Sequence, residues 1–347
     1  MARARIQDVA RLAGVASSTV SEILNNSEHS WASAETKSRV LRCAQELNYK
    51  ANSIARALNT GKFNTVGLIV SDFLNPYFTL FCRLMGEELR EHGYAMLIEE
   101  TYKKIESSTF KTFQKMLDRH VDGIIGFAYS ESPEMNALFQ ELHKTHRPVV
   151  LIDSNQTNPF FDSIDVDTRP GLIEAVNYLV KLGHQKIAFV GGDKNAPIRN
   201  SRMECFANAL QIHELQPFPE LEIEPAANWM EVRNCFGKYL SQTRSEERPT
   251  AMIAFNDMWA IGMMRACFDY HVSIPSQLSI VGMDDISVSE ILPVSLTTIR
   301  APYAEITKKA VECFLKRIGT KNWDPSSTYS CSSHLVIRES TGPARSY

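Results

Sequence analysis

No apolar run in this 347-residue chain approaches the roughly 18 residues that a membrane-spanning helix needs. The opening stretch, MARARIQDVARLAG, lacks the apolar block of a secretory signal, so the expected location is the cytoplasm, with no membrane partner. Cysteine is sparse and scattered. Cys43, Cys82, Cys205, Cys235, Cys267, Cys313 and Cys331 make seven, an odd number without a CxxC pair, which points away from a disulfide framework, a redox pair or zinc. They read as reduced packing residues. Phosphate cradles and catalytic elbows are missing too: no strand-to-helix junction carries GxGxxG, a Walker lysine motif or GxSxG, and VGGDK is too loose to count. No nucleophile and base arrangement emerges, so the chain is not read as an enzyme, and no cofactor or metal is expected. His143 and His146 could bind a metal in principle, but just before Pro148 they suit a helix carboxyl end, where cationic side chains complement the dipole.

What is present is a globular composition, 44% hydrophobic, long enough for two or three domains. The formal net charge of -3 is unevenly spread. Residues 1–62 hold nine Lys/Arg against five Asp/Glu, or +4, leaving -7 on the rest. A small basic head on an acidic body is the asymmetry expected when only the head meets a polyanion, although charge alone fits chance fluctuation equally well.

Periodicity inside the head decides between the two. Ile6, Val9, Ala10 and Ala13 recur at helical spacing, Gly14 supplies a stop, and a second short helix follows with Val20, Ile23 and Leu24 turned inward. A third runs from about Ser33, with Glu35 in its first turn and Val40, Ala44 and Leu47 on one stripe. Three short helices around a small core make a helix-turn-helix domain. Small hydroxyl residues open its second helix, where they can approach a phosphate backbone and present donors to base edges.

IQDVARLAGVASSTVSEILNN followed by ETKSRVLRCAQELNYKANSIARALNTG resembles the DNA-binding head and hinge of the lactose repressor and purine repressor family. The match continues in order through VGLIVSDFLNPYF, VDGIIGF, VVLID, LGHQKIAFVGG, AFND, SIVGMDD, LTTIRAPY and LVIREST, covering nearly the whole chain. A lone helix-turn-helix pattern is weak; the ordered series is specific. The resemblance implies a sequence-specific DNA-binding transcriptional regulator, read as a repressor, whose recognition helix is Ser17 to Asn25. Ser17, Ser18 and Glu22 would face the bases, with Thr19, Ser21 and Asn25 completing the set. Two positions depart from the family pattern. Ala16 stands where serine is usual, removing a cap or phosphate contact worth about 1 kcal/mol unless Ser17 replaces it. Glu22 stands where arginine is frequent. Arginine reads guanine bidentately, whereas a carboxylate only accepts, as from the cytosine amino group, and weakens binding near phosphates. Glu22 therefore reads either as a specificity device by repulsion or as a solvated charge that reads nothing.

ANSIARALNTG, 51 to 61, is a second short helix: Asn52 or Ser53 can cap it, Ile54, Ala55, Ala57 and Leu58 give it an apolar face, and Gly61 ends it. Alone it is too short to be stable in water. By resemblance two such hinge helices fold together on the operator and wedge Leu58 into the minor groove, with Ala55 beside it and Asn52 nearby. Ala51 replaces a common proline, which lessens stiffness before the helix.

From about Phe63 the pattern alternates between strand and helix. Apolar strands are read at TVGLIVS, AMLIEE, DGIIGFA, PVVLIDS, KIAFVGG, AMIAFND and LSIVGMDD, with helices such as Tyr77 to Glu91 and Thr168 to Leu182 between them. The fold class is therefore α/β: a small all-helical helix-turn-helix head plus a sensor with two parallel sheets, two-lobed like a periplasmic binding protein by resemblance. The expected domains are 1–50 (head), 51–62 (hinge helix) and 63–342 (effector binding and dimerisation), with chain crossings near 163–167, 293–297 and 322–328.

Ligands of open α/β sheets gather beyond the carboxyl ends of the strands. Those ends bring Ser71, Asp72, Asp153, Asn256, Asp257, Asp284 and Asp285 toward one cleft. By resemblance, Asp72, Asn75, Tyr77, Phe78, Asp153, Arg202, Trp229, Asn256, Asp284 and Tyr303 touch or line the effector. Cys205 replaces a usual glycine. Carboxylates, an amide, a guanidinium and a flat aromatic suit a sugar or sugar derivative. Aromatics near Phe73, Tyr77 and Trp229 could equally sandwich a purine. Arg202, Asp284 and Asn256 lead this set; Phe78 fits core packing better, Asp257 reads as a helix cap, and Trp229 stays open between core and ligand.

The expected mechanism couples effector, lobes and hinge helices in a homodimer on double-stranded operator DNA, its sign left open. A dimer is expected because RESTGPARSY lacks apolar heptads for a tetramer. The helix at Tyr77 to Glu91 and DMWAIGMMRACF could supply its interface. Rival readings are a soluble sugar-binding receptor without DNA function and a regulator controlled by a partner protein.

Overall fold

The structure is a computed structural model describing residues 4–24, 31–49, 61–101, 107–127, 132–154, 156, 158–192, 197–219, 228–320 and 323–345. It separates into two compact units, Met1–Asn64 and Thr65–Tyr347.

In the first unit, helix α1 (Ile6–Ala13) stops at Gly14, whose φ of 65° is the left-handed conformation that a side chain disfavours. α2 (Ser17–Leu24) and α3 (Ala34–Glu46) follow, and Ser33 caps α3 by accepting the Thr36 N–H at 3.2 Å. Val9, Ala13, Val20, Ile23, Val40 and Ala44 form the core. The Arg39 Nε donates to the Ala13 carbonyl at 3.0 Å, joining α3 to the end of α1. The hinge residues, Asn52, Ala55 and Leu58 among them, lie outside the described residues, as does Asn25.

The second unit alternates β1 (Thr65–Val70), α4 (Pro76–Glu91), β2 (Ala95–Glu100), α5 (Ser107–Asp118), β3 (Gly123–Gly126), α6 (Pro133–Lys144), β4 (Val149–Ile152) and β5 (Asp162–Asp167). It continues through α7 (Arg169–Lys181), β6 (Ile187–Val190), α8 (Pro197–Gln211), α9 (Trp229–Gln242), β7 (Ala251–Ala254), α10 (Asp257–Asp269) and β8 (Ser279–Asp284). Last come α11 (Val288–Ile291), β9 (Thr297–Arg300), α12 (Tyr303–Arg317), β10 (Thr328–Ser332) and β11 (His334–Val336). One sheet runs β10-β5-β4-β3-β1-β2 and the other β11-β9-β8-β7-β6. All pairings are parallel except β11 with β9, so the second sheet has one antiparallel edge that was not expected.

Helices on both faces bury the central strands, which explains their unbroken apolar runs. In the first lobe Phe81, Met85 and Leu89 of α4 meet Ile306, Ala310 and Phe314 of α12 over one face. Phe113, Phe139 and Phe161 fill the other. In the second lobe Phe189 and Phe206 pack on one face, and Val232, Phe236, Trp259 and Met263 on the opposite one.

The chain crosses between lobes three times: from β5 to α7 at Thr168, from β9 to α12 at Ala301 and Pro302, and from β10 to β11 at Ser333. The first lies beside the expected 163–167. The other two correct the expectation of 293–297 and 322–328. Pro293 only leads into β9 of the same lobe, and 323–327 only leads into β10.

Candidate functional site

In the head, α2 packs its apolar side on α1 and α3 and leaves Ser18 and Glu22, one turn apart, exposed. Ser17, Thr19 and Ser21 are half-buried on its flanks. Ala16 occupies the cap position, since its carbonyl accepts the first helical bond from Val20 at 3.1 Å, and its methyl has no oxygen to offer a helix N–H. The face presented is short, hydroxyl-rich and carries a single carboxylate.

In the two-lobed unit, Tyr77, Asp153, Arg202 and Asp284 are brought to one cavity between the lobes. Each arrives from a different element: the first turn of α4, the end of β4, the second turn of α8 and the end of β8. Asp153 and Asp284 both have positive φ, 56° and 119°, so the backbone turns sharply where each strand ends. Every crossing contributes to the wall, through Thr168, Ala301 and Ser333. The enclosed volume is about 10 Å³, the space of one water.

The electrostatics follow from burial. Desolvation pushes the Asp284 carboxyl well above the usual carboxylate range, the Asp257 and Asp153 carboxylates push the same way, and Arg202 opposes them. Tyr77 is raised chiefly by burial and then by the Asp153 and Asp284 carboxyls, with Arg202 opposing. Arg202 is 6% exposed, lies 4.7 Å over the Phe255 ring, and donates from Nη1 to the Phe255 carbonyl at 2.9 Å. Its buried Nε has no hydrogen-bond partner. A cavity with carboxylate acceptors, hydroxyls and an unmatched guanidinium donor takes a ligand rich in both donors and acceptors.

The remaining expected residues are not among those that line this cavity. Tyr303 lies behind it, its hydroxyl donating to the Asp284 carbonyl at 2.5 Å. Asn75 and Asn256 are helix caps: their side-chain oxygens accept from Tyr77 and Trp259 N–H groups at 3.0 and 2.9 Å. Phe78 packs edge-on against Tyr77 and Phe127. Asp72 accepts the Leu74 N–H at 2.9 Å within its own loop. Trp229 opens α9, is 38% exposed, and sets its carbonyl where a side chain on Gly262 would stand.

Asp257 is not the cap it was read as. Asn256 takes that role, and Asp257 is wholly buried, accepting from the Ile286 N–H (2.9 Å), the Ser289 hydroxyl (2.6 Å) and the Thr298 hydroxyl (2.5 Å). It ties the start of α10 to the segment after β8. Thr168 and Ser333 were missed because nothing local marks a hydroxyl as lying on a crossing. His143 and His146 meet the ring edge of Trp323, at 5.1 and 5.5 Å between centroids.

Two family models match this chain: bacterial regulatory proteins, lacI family, over residues 5–52, and the periplasmic binding protein-like domain over 176–341. The chain is 28% identical over 337 residues to the HTH-type transcriptional repressor PurR of Pasteurella multocida, covering 97% of this chain and 98% of that protein. Its fold is similar to a lac repressor dimer bound to operator and the anti-inducer ONPF, with a TM-score of 0.85, 24% identity, and coverage of 98% and 100% of the two chains. It is also similar to a LacI family transcriptional regulator from Enterococcus faecium with bound ribose, with a TM-score of 0.70, 25% identity, and coverage of 81% and 100%.

Proposed function

We propose that this chain, whose head matches the lacI family of bacterial regulatory proteins over residues 5–52, is a DNA-binding transcriptional repressor whose operator affinity is set by a sugar or sugar derivative held between the two lobes. The observation that carries the effector reading is the meeting of Asp153, Asp284 and Arg202 at a cavity walled by all three crossings. Sugar hydroxyls donate to the carboxylates and accept from the guanidinium. A cavity of about 10 Å³ admits no sugar as it stands, so the lobes must part at the crossings to load one. Effector and lobe position are thereby coupled, and DNA affinity changes by the difference in effector affinity between the two lobe states.

We assign the DNA contacts to Ser17, Ser18, Thr19, Ser21, Glu22 and Asn25 of the head and to Asn52, Ala55 and Leu58 of the hinge. The working unit is a homodimer. An open apolar groove of about 760 Å³ lined by Met264, Phe268, Leu292 and Val294, with Phe268 71% exposed, supports a partner surface on the second lobe.

A purine effector is the second reading, favoured by the relatives that bear the PurR name. Against it, Tyr77 already meets Phe78, Phe81, Phe127 and Tyr303 at 5.0 to 6.1 Å, leaving its ring committed to the protein. The test is thermal unfolding of the full chain across sugars, sugar phosphates, polyols and purines, because a ligand of the folded state raises the midpoint. A sugar shift lost in Arg202→Ala and Asp284→Ala supports the proposal. Shifts from purines alone would replace it.

A further inference from the structure

Trp31 is 98% exposed, whereas Trp259 is buried, Trp229 is 38% exposed and Trp323 donates its indole N–H to the Arg317 carbonyl at 3.0 Å. An indole left in water forgoes the largest apolar burial that a side chain offers. This position is not a loose end. Ala32 packs against the head's core and Ser33 caps α3, so the residues that follow Trp31 hold its backbone in place and its ring outward.

The location narrows the partner. Trp31 lies on the connection from α2, the base-reading helix, to α3, in a head that carries +4. Lys37, in the first turn of α3, is exposed close by in the chain. Glu35 in that same turn is also exposed, so this corner is no simple cationic patch, and the indole itself has to make the contact. An indole can do so in two ways, laying its flat apolar face on a deoxyribose and donating its N–H to a phosphate oxygen.

We propose that Trp31 is a DNA contact of the head, seated on the sugar–phosphate backbone beside the bases that α2 reads. It strengthens binding without reading sequence, since backbone contacts position a protein on the duplex and base edges specify the site. The inference rests on the DNA-binding reading above.

The test uses full-length wild type, Trp31→Phe and Trp31→Ala against two duplexes: one recovered from a random pool by the wild type, and a random-sequence duplex of equal length. Trp31→Ala is expected to bind both about tenfold more weakly, with Trp31→Phe recovering most of the loss. The slope of log affinity against log salt stays unchanged, because no charge is removed. The unfolding midpoint also stays unchanged, because a water-exposed ring supports nothing in the fold. Equal affinity of Trp31→Ala and wild type for both duplexes would overturn the inference. So would a loss accompanied by a lower sedimentation coefficient of the free protein, which would give the ring to a second copy of the chain. If the wild type enriches no duplex at all, the DNA-binding reading fails first, and this inference with it.

Discussion

Arg202 stacks its guanidinium on Phe255, 4.7 Å from the ring centre, and donates to that residue's carbonyl at 2.9 Å. One side chain thus fastens α8 to the end of β7 while its Nε stays unmatched at the cavity. Lysine keeps the charge but has neither the flat face nor the fork of donors. Arg202→Lys is therefore expected to abolish the effector-induced rise in unfolding midpoint while lowering the unliganded stability by only about 1 kcal/mol. A retained effector shift would place the recognising donor elsewhere.

Asp257 makes stability depend on pH. Burial pushes its carboxyl up to about 7, and its three hydrogen bonds oppose that only in part. An unfolded carboxyl of this kind ionises near pH 4, so between about 4 and 7 the unfolded chain has lost a proton that the native one keeps. Stability falls as pH rises through that window and levels off beyond it. Asp284, raised in the same direction, adds to the decline. Asp257→Asn, which removes the titration and keeps an acceptor, should make denaturant-derived stability fall less steeply across this range, by up to about 1.4 kcal/mol per pH unit. An unchanged slope would exclude Asp257 as its source.

Arg317 grips both carboxylate oxygens of Asp162 and reaches the carbonyls of Asp324 at 3.1 Å and Pro325 at 3.3 Å. Both members of the pair are buried, so removing one strands the other without water. Arg317→Ala should cost about 3–5 kcal/mol in urea unfolding, with no change in which effector binds. A loss below about 1 kcal/mol would mean that water reaches Asp162.

Glu22 is exposed one turn after Ser18 on the outer face of α2. If its carboxylate rejects some operators and rewards others, Glu22→Arg should enrich different base pairs in site selection and bind random DNA more tightly. Identical preferences in the two proteins would make Glu22 a solvated charge and nothing more.

Much of this molecule was legible before it was seen folded. TVGLIVS and LSIVGMDD became β1 and β8, because a strand buried on both faces must be apolar throughout, and AMLIEE became the half-buried edge strand β2. The head followed from its 3.6-residue periodicity and from Gly14, whose positive φ the stop required. The polar strands went unread. β5 is DSIDVD and β10 is TYSCS, segments whose composition suits a loop and whose pairing with each other is set across more than 160 residues.

The same distinction separates what the chain states alone from what only its folding decides. Local order, the family resemblance, and the presence of Asp153 and Asp284 at strand ends and of Arg202 near the start of a helix are matters of residue type and spacing. The three crossings, the closing of the cavity around Thr168 and Ser333, and the change of Asp257 from expected cap to buried latch depend on segments distant in sequence becoming neighbours. Periodicity carries no information about such pairings. They are settled by which apolar faces must be covered together and by which buried polar groups then need a partner.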